Sequence, residues 1–86
     1  MDHPQLSTVR RQLGELGVMS EQTQRAERQI LERAQARLEE VEKAIASDRQ
    51  PALAGDGEAS QRYQGAIAER GQLQIVIAQA RKMLGE

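Results

Sequence analysis

Between Ser20 and Asp48 the chain contains neither glycine nor proline. Within that stretch Leu31, Ala34, Leu38, Val41 and Ile45 recur at alternating spacings of three and four. A backbone free of breakers with that spacing predicts one long helix whose apolar groups form a single narrow seam, as in a coiled coil. Ser20 is suited to cap its start, and Glu21 places a carboxylate in the first turn, where the helix dipole favours it. Over residues 20–48 such a helix runs roughly 40 Å. A stripe this narrow needs a matching helix to cover it.

The match lies downstream. Tyr63, Ala66, Arg70, Leu73, Ile77, Ala80 and Leu84 follow the same three-four spacing, predicting a helix over 58–84 that Gly85 ends. Residues 49–57 carry Pro51, Gly55 and Gly57 and read as a loop, with Asp56 available to cap the helix after it. Two long helices with one connection fold back as an antiparallel hairpin. Tyr63 is then expected near Ile45, and Ile77 near Leu31. Upstream, Pro4 opens a shorter segment over 4–16 with Leu6, Val9, Leu13 and Leu16 on one face, closed by Gly17. The expected fold is all-α and a single domain over 1–86: a short N-terminal helix followed by a long, coiled-coil-like helical hairpin.

Composition narrows the function. The 86 residues include no Cys, Trp or Phe, one Tyr and one His, with a net charge of -1. The absence of cysteine removes disulfides, thiol chemistry and cysteine-based zinc sites. Near-neutral charge argues against nucleic acid or an anionic membrane as partner. The longest apolar run, Ile75–Ala78, is far too short to cross a bilayer. The start, Met-Asp-His-Pro, has neither the basic nor the apolar region of a signal peptide, so a cytoplasmic protein is expected. No catalytic constellation is visible, and no enzyme, cofactor or metal is expected. His3 has no second ligand beside it, Gly55 and Gly57 lack the Lys-Ser/Thr tail of a phosphate loop, and acids interleave with Arg25 and Arg28.

Several apolar residues miss the seam. Val76 and Met83 flank it on one side of the last helix, Ile67 on the other, and Ile75 points away. Ile30, Ala26 and Ala44 flank it on the preceding helix. A seam of alanines and single Leu or Ile residues buries little area to set against chain entropy. Spare apolar surface on such a chain marks a partner site. The expected partner-binding residues are Tyr63, Ile67, Ile75, Val76 and Met83, with Leu6, Val9 and Leu13 as an alternative surface. The first segment could instead fold onto the Val76/Met83 flank. Of the charged residues, Arg70 on the seam is expected to reach Glu39 or Glu42, and Glu27 to reach Arg81 or Lys82. Glu21/Arg25 and Glu39/Lys43 are spaced for pairs along one helix.

A polar loop leads into Tyr63-Gln64, Leu73 follows ten residues on, then Ile77, and Gly85-Glu86 come last. In these positions the last third of the chain resembles the E-type co-chaperones of bacterial type III secretion needles. The resemblance implies a small cytoplasmic protein that pairs with a tetratricopeptide-like chaperone of helical repeats. Together such a pair holds a needle subunit as a monomer before export. Gly55-Asp56 ahead of Tyr63 also resembles the coiled-coil tip of Gre-type transcript-cleavage factors, with Glu58 as the second acid. A self-associating four-helix bundle of two hairpins, or a phage or plasmid regulator, is the alternative in another class.

Overall fold

The computed structural model describes residues 20–86. Two helices, α1 (Glu21–Leu53) and α2 (Gly57–Met83), pack against each other along their lengths as an antiparallel hairpin. The described residues contain no strand and measure 59 × 22 × 16 Å. The segment expected over 4–16, with Leu6, Val9 and Leu13, lies outside them.

Each helix starts as its sequence dictates. The Ser20 hydroxyl accepts a hydrogen bond from the Thr23 amide at 3.1 Å, satisfying a donor that the first turn leaves open. Asp56 does the same for α2, its Oδ1 accepting from the Ala59 amide at 3.1 Å.

The connection is much shorter than the loop expected over 49–57. α1 continues through Pro51 to Leu53, and only Ala54, Gly55 and Asp56 link the helices. Proline lacks an amide hydrogen and crowds the carbonyl four residues back. Within the last turn that costs one hydrogen bond without breaking a helix that continues. The Pro51 carbonyl is itself used: it accepts from the Asp56 amide at 3.0 Å, while Ala52 accepts from Gly55 at 3.2 Å. These two bonds form a Schellman closure. The closure requires a positive φ at Gly55, which is 97°. An alanine there meets no neighbour, so its cost is purely conformational. Gly55→Ala is expected to destabilise the hairpin by about 1 kcal/mol in urea unfolding.

The core is the expected seam, extended at its closed end. Leu31, Ala34, Val41 and Ile45 of α1 and Ala59, Ile77 and Ala80 of α2 are buried. Leu38, Leu73 and Leu84 pack partly buried around Leu31, Ala34, Ile77 and Ala80, which places Ile77 beside Leu31 as expected. Tyr63, Ala66 and Arg70 are half-buried at their seam positions. Ala59, one turn before Tyr63, carries the seam to the connection. Three of the seven buried side chains, Ala34, Ala59 and Ala80, are alanines, so the core is thin.

Candidate protein-binding surface

Ion pairs across the seam fix which flanks of the helices share a side. Arg37 grips Glu69 side-on, Nε to Oε2 at 2.6 Å and Nη2 to Oε1 at 2.8 Å. Arg62 reaches Asp48, with Nη2 to Oδ1 at 3.1 Å. Seven residues make nearly two full turns, so a step of seven returns to the same flank about 10 Å along the axis. One such step before Arg37 is Ile30; successive steps after Glu69 are Val76 and Met83. In an antiparallel pair these steps run the same way. Ile30, Val76 and Met83 therefore form an apolar strip at the open end of the hairpin, on the side of the Arg37–Glu69 pair. They are 43%, 37% and 39% exposed. The opposite side carries a shallow groove floored by Leu38 and Ile77 and rimmed by Glu39, Glu42 and Arg81.

The backs of the two helices differ in chemistry. The outward face of α1 is charged, with Arg25, Glu32, Arg33, Glu39, Glu40 and Lys43 all exposed. Residues 61–79 of α2 include only three charges, Arg62, Glu69 and Arg70. Two of these are tied across the seam, and Arg70 stands on it. What α2 turns outward is Gln61, Gln64, Gly65, Ala68, Gln72, Ile75 and Gln79, all exposed, with Gly71 partly so. Ile75 is 59% exposed on this face, one turn before Gln79, with the exposed Lys82 one step of seven beyond it.

Gly65 and Gly71 sharpen the contrast. Both lie inside the helix, and a Cβ on either meets nothing within 4 Å. The hairpin itself has no packing need for them, and each weakens the helix relative to alanine. Gly65→Ala and Gly71→Ala are each expected to raise the stability of the isolated hairpin by about 0.5–1 kcal/mol in thermal or urea unfolding. Both are expected to weaken binding of a chain that approaches α2 closely there.

Of the expected binding residues, Ile75, Val76 and Met83 are exposed, while Tyr63 is half-buried on the seam and Ile67 half-buried beside it. Leu53, 78% exposed at the end of α1, was hidden from sequence reasoning by the expected loop. Among the described residues Arg70 has no ion pair with Glu39 or Glu42, and Glu27 none with Arg81 or Lys82. Arg37–Glu69 and Arg28–Glu86, the latter at 3.1 Å, form instead. Glu21–Arg25 forms at 3.9 Å; Lys43 pairs with Glu40 at 3.8 Å rather than with Glu39. The cap bond of Asp56 occupies one oxygen of a candidate tip acid. The described residues hold no cluster of three metal-ligating side chains.

The Arg37 hydrogen bond and charge hold the Glu69 carboxyl below the ordinary glutamate range, and the same contact raises the Arg37 guanidinium. A carboxyl whose pKa is depressed by folding stabilises the fold above its unfolded pKa, about 4.3, and loses that contribution as pH falls through the folded value. Glu69→Gln is accordingly expected to narrow the stability difference between pH 7 and pH 3. The effect is small because both groups are solvated; melting temperatures across that range measure it.

The fold and surface define a class: an all-helical hairpin whose outer face is charged on α1 and uncharged over residues 61–79 of α2. No helix of the described residues is long and apolar enough to cross a membrane. No family model, curated protein or solved structure matches the chain.

Proposed function

We propose that this chain is a non-enzymatic protein–protein interaction module whose outward face of α2 packs against a helical partner. The carrying observation is the uncharged surface between Gln61 and Gln79, with Ile75 exposed toward its C-terminal end and two glycines that the hairpin does not need. An uncharged helix face with an aliphatic anchor and small neighbours suits close helix packing. A thin alanine-rich seam gives the hairpin reason to gain burial from another chain.

The more specific reading is a small bacterial cytoplasmic co-chaperone that pairs with a helical-repeat chaperone to keep a type III secretion needle subunit monomeric. Its support is the likeness in the Tyr63-Gln64, Leu73 and Ile77 positions, together with the exposed uncharged face of that same helix. Tyr63, Ile67, Ile75, Val76 and Met83 are the residues it commits to contact. Light scattering on the chain mixed with such a chaperone is expected to give one stoichiometric complex. A tight homodimer without affinity for the chaperone would replace this reading with the self-associating bundle, in which the backs of two α2 helices meet.

A further inference from the structure

The strip of Ile30, Val76 and Met83 has a different character from the back of α2, and the sequence supplies its occupant. We infer that residues 4–16 of this same chain lie along that strip as an amphipathic helix, with Leu6, Val9, Leu13 and Leu16 facing it. This inference takes Val76 and Met83 away from the partner contact proposed above: the strip is covered in cis, and Ile75, with Tyr63 and Ile67, is left for the partner.

Three observations carry it. The first is reach. α1 begins at Glu21 at the open end of the hairpin, and Ile30 stands about 15 Å along it. With Gly17 to Met19 as an elbow, a helix over 4–16 turning back beside α1 brings Leu16 level with the start of α1 and Leu6 level with Ile30. The second is length. Leu6 to Leu16 spans about 15 Å as a helix, and the strip from Val76 to Met83 about 10 Å. The third is where the apolar strip stops. One step of seven beyond Ile30 and Val76, the same side is closed by the Arg37–Glu69 pair. The strip thus stops level with Leu6, the first residue of the apolar stripe.

The chain has no cysteine, so a single Gln12→Cys variant of the full chain accepts one nitroxide label at a position beside the stripe. Amide signals of residues 23–30 and 76–83 are expected to broaden, and those of 45–63 to stay sharp. In a mixture of labelled unenriched chain and unlabelled enriched chain, no broadening is expected. Adding Leu13→Asp to the labelled chain is expected to abolish the effect while helical circular dichroism from the hairpin is kept. Three results would overturn the inference: no broadening in the strip; broadening in the mixed sample, which assigns the strip to a second copy; or broadening that survives Leu13→Asp.

Discussion

Ile77→Ala is expected to cost the isolated chain about 3 kcal/mol and to leave it without a cooperative unfolding transition. Ile77 is the large buried side chain of α2, set among Leu31, Ala34 and Ala80 with Leu38, Leu73 and Leu84 around it. Truncating a buried Ile or Leu to alanine costs roughly 2–5 kcal/mol, more where the surroundings cannot collapse into the space. Here the neighbours at Ala34 and Ala80 are already minimal, so little can move in. A single thin core in a chain of this size supplies no more than about 5 kcal/mol in total. Urea unfolding followed at 222 nm measures the loss. A bound partner adds stability in proportion to its saturation, so the variant is expected to recover helicity in complex. A variant that unfolds like the parent would show that the seam is not where the hairpin is held.

Ile75→Asp is expected to do the opposite. Ile75 is 59% exposed and belongs to no buried cluster, so the isolated chain should change by no more than about 0.5 kcal/mol. Partner affinity is expected to fall by about 2 kcal/mol or more, roughly thirtyfold, because a carboxylate replaces the aliphatic anchor of an uncharged contact. Calorimetry against the partner, beside thermal melts of the free chain, separates the two effects. Equal loss in both measurements would place Ile75 in the fold rather than in an interface.

The seam was legible because helical periodicity is a strong signal and the chain offers little to confuse it. Leu31, Ala34, Val41, Ile45, Ile77 and Ala80 are buried where the three-four spacing puts them. The connection was not legible to the same degree. Pro51 reads as punctuation, yet a proline in the last turn can stay helical when its carbonyl is taken up in the closure, as here by Asp56. Misplacing that boundary also hid Leu53 and the role of Ala59. The Glu21–Arg25 pair forms as its spacing predicts, but the other ion-pair partners were not legible, because long side chains choose among several turns. Arg37 met Glu69 across the seam, and Lys43 met Glu40 rather than Glu39. The candidate surface was half legible. Ile75 stands out by its direction on the helix, and the scarcity of charge around it is equally visible in residues 61–79. That Gly65 and Gly71 serve no contact within the hairpin is a property of the packed pair of helices, which neither segment's pattern carries alone.

The central claim is that the hairpin is completed by another chain on the back of α2. Titrating the isotope-labelled chain with a helical-repeat chaperone and following its amide signals tests that claim most directly. Changes concentrated at Gly65, Ala68, Gly71, Gln72 and Ile75, with the charged back of α1 undisturbed, are the expected result. Changes confined to Arg25, Glu32, Arg33 and Glu40 on α1, or none at saturating chaperone, would contradict it.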